Sequence, residues 1–299
     1  MHEFQITGLD DRKLYIISNL HIGNGSSHDN LCKGDKYVLL NRFLDDIENQ
    51  NGVLLILDDF MELWRYSWAD VLTQWRTLFD RLAGMDVLYV PGNHDDLLAP
   101  CFAECRQAHR FFDKLHKPFI KTIANKRVQF MHGHEINSMI SRYWTTFAPA
   151  VRFLAGTFEL GTDYCLITSD TVSDFLLETG DIFLKIWKTL TRQVNRTIFS
   201  HLGYSCEPIT WLRCPVRTRN MLVRFYEQQT SGLYDITITG HTHQAGYFGN
   251  GYFNSGCWTR HIMNYLTVYP DGNIEVRNWT PEGSSVNTSI VACSDINNR

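Results

Sequence analysis

Five times in this chain a cluster of histidine, aspartate, asparagine or glutamate follows directly on a short apolar run. That repetition constrains the fold more than any bulk property. The clusters are Ser18-Asn19-Leu20-His21, Asp58-Asp59-Phe60-Met61-Glu62, Gly92-Asn93-His94-Asp95, Met131-His132-Gly133-His134 and Gly240-His241-Thr242-His243. The runs at 14–18, 53–57, 87–90, 128–131 and 235–239 read as short buried strands. Helical spacing of apolar residues marks 36–49 and 71–83 between them. Strand, polar loop, helix, strand is the rhythm of an α/β sheet, whose sites lie beyond the carboxyl ends of the strands. Imidazole, carboxylate and carboxamide groups gathered there are the ligand types of Mn²⁺, Fe and Zn²⁺.

The rhythm breaks after His132. From 136 to about 230 the text is aromatic and predominantly helical, with 182–199 the clearest amphipathic stretch and no metal-type motif. Strand signals return at 235–239, 251–253, 265–268 and 273–277, separated by turn chemistry such as Pro270-Asp271-Gly272. The expected organisation is therefore a core in two parts, 1–135 and 231–280, interrupted by a helical insert or lid at 136–230. A polar, Ser- and Asn-rich stretch, 281–299, is expected as a loose tail.

The chain has 299 residues, 44% hydrophobic and 20% charged, ample for a sizeable core. Its net charge of −4 gives no global basic field for nucleic acid, which leaves local patches open. The eight cysteines show no metal-finger spacing. Met1-His2-Glu3-Phe4-Gln5 lacks the basic-then-apolar order of a signal peptide, and no apolar run has membrane-spanning length. A reduced, cytoplasmic protein is the expectation.

Taken in order, the five clusters resemble the calcineurin-like metallophosphoesterase superfamily, with its D-x-H, G-D-x-x-D/E, G-N-H-D/E, H-G and G-H-x-H blocks. The steps from His21 to Asp59, Asn93, His132 and His241 are 38, 34, 39 and 109 residues, which suits that family with one insertion. The stretch from Asp58 to Trp64 further resembles the branch of UDP-2,3-diacylglucosamine pyrophosphatases, although His94 stands where that branch carries arginine. The resemblance implies a four-layer α/β/β/α sandwich and two divalent metal ions, Mn²⁺ first, with Fe or Zn²⁺ as alternatives.

It also implies roles. One metal takes Asn19, His21, Asp59 and His243, the other Asp59, Asn93, His132 and His241, with Asp59 bridging. His132 is preferred over its neighbour His134 because it directly follows the strand. A hydroxide shared by the metals attacks phosphorus in line. His94 donates to the developing charge or the leaving oxygen, and Asp95 orients His94 or a ligand histidine. The implied activity is hydrolysis of a phosphate mono- or diester, or a pyrophosphate. A lipid-linked pyrophosphatase and an inactive phospho-ligand- or partner-binding protein are the alternatives.

Two positions depart from the pattern. Asn19 stands where a ligand aspartate is expected, which deletes a negative charge and predicts a weaker first metal. Asp58 replaces the glycine ahead of the bridging aspartate, where it either strains the turn or restores the charge lost at Asn19. Both leave open whether the chain is an active enzyme or a disabled one. In the insert, Lys185, Lys188, Arg192 and Arg196 share a helix face, followed by Arg213, Arg217, Arg219 and Arg224. A solvated face, a lid that draws anionic substrate, and peripheral membrane contact are the readings open for these cations.

Overall fold

The computed structural model describes residues 11–27, 29–57, 59–133, 232–259 and 262–291. These belong to one of the chain's two units, Met1–Ile136 with Met221–Arg299; the other, Asn137–Asn220, lies outside the described residues. So do Asp58, His134 and the basic face expected at 182–199.

Two mixed sheets form the centre. The first runs β11-β10-β9-β1-β2-β3 and the second β4-β5-β6-β8-β7. In the first, β1 (Leu14–Ile17), β2 (Val53–Leu57) and β3 (Val87–Val90) are parallel, while β9 (Met263–Val268), β10 (Asn273–Thr280) and β11 (Gly283–Val291) extend it antiparallel from β1. In the second, β5 (Lys126–Phe130) lies parallel to β6 (Ile236–Thr239), and β6 parallel to β8 (Tyr252–Asn254). The hairpin partner β4 (Phe119–Ile123) and the short β7 (Gly246–Tyr247) close its two edges.

The central strands are covered on both faces. Every residue of Val53–Leu57 is buried, the near-continuous apolar run of a parallel strand. Alternate residues face different layers. Leu14, Ile16, Val53, Leu55 and Leu57 meet Phe119, Val128, Phe130, Ile236 and Ile238 of the second sheet. Tyr15, Ile17, Leu54 and Ile56 turn outward to the helices. There α1 (Lys36–Asn49) inserts Leu39, Leu40, Phe43, Leu44 and Ile47, a single stripe at i, i+3 and i+4 spacing. Phe43 packs edge-on or tilted against Tyr15, Trp258, Tyr265 and Trp279, which ties the helix to β9, β10 and the loop after β8.

The expected fold class is therefore observed as a mixed α/β protein with two sheets and helices. Helix, sheet and sheet make three layers among the described residues. Two expectations need correcting. The helix expected at 71–83 is two helices, α2 (Trp68–Gln74) and α3 (Arg76–Gly84), because Trp75 leaves helical geometry at φ −106°, ψ 28°. Its indole Nε1 is tied instead to the Gly23 carbonyl at 3.0 Å and the Asp29 carboxylate at 2.8 Å. The stretch after 281 is not all loose: Gly283–Val291 is β11, paired with β10 across a register shift at Val276/Arg277. Its polarity fits an edge strand, since Ser284 to Asn287 are exposed and need no apolar face. Sequence patterning also passed over β4, β7 and the short helix α4 (Phe102–Ala108).

Candidate metal centre

The parallel strands β1, β2 and β3 end in Asn19–His21, Asp59–Glu62 and Asn93–Asp95, and the parallel strands β5 and β6 end in His132 and His241–His243. Sheet direction alone thus delivers one cluster from each strand end. The first two loops are held together by main chain: His21 N–H donates to the Asp59 carbonyl, Ile22 N–H to that of Phe60 and Glu62 N–H to that of Ile22, each at 2.9 Å. The register of this small ladder sets His21 beside Asp59 and Glu62.

Backbone geometry concentrates here. Nine described non-glycine residues have positive φ, and five of them are candidate ligands: Asn19 (54°), His21 (49°), Asp59 (35°), His241 (62°) and His243 (57°). A left-handed residue costs roughly 1–2 kcal/mol. Its concentration at these five positions means that side-chain direction, rather than backbone comfort, has shaped the loops.

The floor is buried, with His132 and Asn19 inaccessible and Asp59 2% exposed, and His21, Asn93, His94, His241 and His243 are half-buried around it. Asp59 Oδ2 lies 3.7 Å from His132 Nε2 and 3.9 Å from His21 Nε2, while its Oδ1 accepts the His94 N–H at 2.9 Å. The His132 ring sits 4.6 Å from that of His241, and the His21 ring 5.5 Å from that of His243. Asn93 Oδ1 is 2.7 Å from His132 Nε2. One atom each of Asp59, His132 and His241 lies within 4.8 Å of the others. Burial pushes the Asp59 carboxyl up, but the imidazoles of His132, His94, His21 and His241 outweigh it and hold the group well below the usual carboxylate range. A buried anion ringed by imidazoles, with Asn19 Oδ1 and His21 Nε2 lacking hydrogen-bond partners among the described residues, fits a cation site.

A second trio, His21, Glu62 and His94, is equally compact. Its geometry is that of a clamp: Glu62 Oε2 lies 2.8 Å from His21 Nδ1, and Oε1 2.8 Å from His94 Nδ1. With both Nδ1 atoms engaged by carboxylate oxygens, the rings and their tautomers are fixed and each Nε2 is left for other work. Despite burial, bonds from the two histidines hold Glu62 down at about 2. Burial opposes charge on His94, yet the Glu62 bond and the nearby Asp59 charge raise it to about 9. Trp64 stacks on His94 at 3.8 Å with planes 14° apart, its Nε1 donating to the Asn93 carbonyl at 2.9 Å.

Of the residues expected at the centre, the structure brings Asn19, His21, Asp59, Asn93, His94, His132, His241 and His243 to one set of strand ends. Asp95 departs from its expected place. It was expected to orient His94 or a ligand histidine, but its carboxyl oxygens accept from the main-chain N–H groups of Phe60 and Met61 at 2.9 and 2.8 Å, and Glu62 is the carboxylate at His94 Nδ1. Burial, then the nearby Asp59 charge, raise Asp95 to about 7. Glu62, three residues beyond Asp59, is the participant to which sequence reasoning gave no role. The acid at the end of the second cluster was its only signal.

An α/β sandwich that gathers buried carboxylate and paired imidazoles from five strand ends defines a metal-binding hydrolase class. The chain belongs to the calcineurin-like phosphoesterase family, whose model matches residues 12–245. A search of curated proteins returned no match.

Proposed function

We propose that this chain is a two-metal phosphoesterase acting on a phosphate mono- or diester or a pyrophosphate. Asn19, His21, Asp59 and His243 would hold one divalent cation, and Asp59, Asn93, His132 and His241 the other. The observation that carries this reading is the position of Asp59 Oδ2, between His21 Nε2 and His132 Nε2 at 3.9 and 3.7 Å. A carboxylate there would offset the repulsion of two cations and would belong to both ligand sets. Bound metals would supply Lewis acidity toward phosphoryl oxygens and lower the pKa of water.

The chain's own residues do the rest. Glu62 holds His94 by Nδ1, which leaves Nε2 to donate a proton or hydrogen bond to a phosphoryl or leaving-group oxygen. Trp64, stacked on the same ring, keeps its plane fixed. Asp95 braces the main chain of Phe60 and Met61 and so the turn that carries Asp59. Mn²⁺ is the metal proposed first, since the ligand set is imidazole, carboxylate and carboxamide without thiolate.

The decisive experiment is hydrolysis of chromogenic phosphate mono- and diesters with and without Mn²⁺, for the parent chain and His94→Ala. Turnover should require metal, and His94→Ala should lower kcat by about 10²–10⁴-fold without changing metal content. Turnover indifferent to metal or to His94 would sink the reading. Full metal occupancy without turnover would favour the phospho-ligand-binding alternative. The lipid-linked pyrophosphatase reading draws support from the Asp58–Trp64 resemblance. It predicts that a diacylated nucleotide-sugar pyrophosphate is preferred over its deacylated form.

A further inference from the structure

The aspartate-to-asparagine departure at position 19 is matched by the atoms around it. Asn19 Nδ2 donates to the Gly256 carbonyl at 2.8 Å and to Ser18 Oγ at 3.1 Å. The Gly256 oxygen can only accept, so the side-chain atom facing it must carry a hydrogen. Ser18 Oγ lies 3.0 Å from the same Gly256 carbonyl and 2.6 Å from Ser255 Oγ, which is itself 3.2 Å from the Thr239 carbonyl, so either hydroxyl can donate to the other. In either arrangement the Ser18 proton has an acceptor in the wall, and Ser18 Oγ accepts from Asn19. Asn19, Ser18 and Ser255 thus share one buried network that ends on the carbonyls of Gly256 and Thr239. Asn19 is fully buried, and Oδ1 is the one polar atom of its side chain without a hydrogen-bond partner among the described residues.

We infer that the carboxamide is the built ligand at this position, with Nδ2 locked into the wall by Gly256 and Ser18 so that Oδ1 serves the metal. This rests on the two-metal reading above. A carboxylate in the same place would set an oxygen against the Gly256 carbonyl at about the distance of the present 2.8 Å hydrogen bond. It could gain the Ser18 proton only by drawing it away from Ser255 or from the Gly256 carbonyl. The wall is not free to retreat. Trp258 N–H donates to the Asn19 carbonyl at 3.2 Å, and Asn30 Nδ2 bridges the carbonyls of Leu20 and Trp258 at 2.7 and 3.1 Å. Gly256, at φ +85°, has no room for a Cβ, which would meet Asn264 Cβ at 2.5 Å. The charge lost at position 19 is thus accompanied by a donor that the surrounding wall uses.

The test compares the parent with Asn19→Asp in two measurements: thermal melting in chelator, and Mn²⁺ content after equilibration and desalting. The parent should carry about two Mn²⁺ per chain, and the variant no more. Without metal the variant should melt roughly 5 °C lower, because a buried acceptor then faces a carbonyl. The assignment is overturned if Asn19→Asp acquires a second Mn²⁺ that the parent lacks, or melts at or above the parent in chelator. Parent stoichiometry alone decides the matter if the variant does not fold, with a single Mn²⁺ counting against it. Uptake by neither chain would remove the metal reading too, whereas greater uptake by the variant overturns only the assignment of Asn19.

Discussion

Glu62 holds two imidazoles with one carboxylate, and that double duty makes it the most exacting single position in the centre. A glutamine there offers one acceptor oxygen in place of two, so one histidine loses its partner and its fixed tautomer. Glu62→Gln should therefore lower both turnover and Mn²⁺ affinity by about 10–100-fold while the protein stays folded, as steady-state kinetics and metal titration would report. His243→Gly probes the opposite balance. It removes a ligand and also a left-handed residue, so folding stability should stay within about 1 kcal/mol of the parent while Mn²⁺ affinity falls. At this scale the sequence singled out His21, Asp59, His132 and His241 because chemistry restricts residue type there, and the structure gathers all four. Asp95 was expected to orient His94 or a ligand histidine, whereas its carboxyl reaches back to the turn at Phe60 and Met61. Glu62 was passed over because its role depends on the ladder between 21–22 and 59–62, which no periodicity announces.

Five strand ends, three in one sheet and two in the other, carry the candidate ligands, and the loop after β8 is the element that braces them. Asn254 in that segment donates through Nδ2 to the Gly240 carbonyl, and Ser255 N–H to the Thr239 carbonyl at 2.9 Å. Gly256 then turns under Asn19. Gly256→Ala would put a side chain at positive φ against Asn264 and Ala245, a cost of about 2–4 kcal/mol. The expected result is a lower melting temperature together with weaker Mn²⁺ binding; loss of stability with unchanged affinity would show the brace to be independent of the centre. The strands β1, β2 and β3 were legible because burial on both faces leaves a near-unbroken apolar signature, and β5 and β6 because Val128, Phe130, Ile236 and Ile238 alternate toward the core. The edge strand β11 was not, since its exposed residues are those of a loop. Nor was the break at Trp75, which follows from its bonds to Gly23 and Asp29, distant in sequence.

Across the whole molecule, the charge balance of the centre makes folding depend on pH in a way that metal should reverse. In the metal-free protein, Glu62 lies below its ordinary value, so its contribution is present above about pH 4.5 and lost as pH falls toward about 2. His94 lies above its ordinary value, so its contribution is present below about pH 6.5 and lost as pH rises through about 9. Asp95, raised to about 7, adds a penalty that grows from about pH 4 to 7. Melting in chelator should accordingly peak near about pH 5 and decline toward pH 9. Cations compete with these protons for imidazole, so stabilisation by Mn²⁺ should grow over the same range. A saturating excess of about 100-fold over Kd corresponds to about 2.7 kcal/mol. A metal-free melting curve flat between pH 5 and 9 would contradict the charge balance described.

The short ladder between the loops after β1 and β2 has a consequence for how such a centre changes over time. Its bonds run from main chain to main chain, so the positions of His21, Asp59 and Glu62 do not depend on which side chains they bear. A lineage can exchange one donor atom for another, or silence the centre and later restore it, without disturbing the frame on which the atoms hang. Side chains at His21, Asp59 and Glu62 can be edited like lettering on a fixed page, whereas Asn19 is tied into the wall by its own side chain.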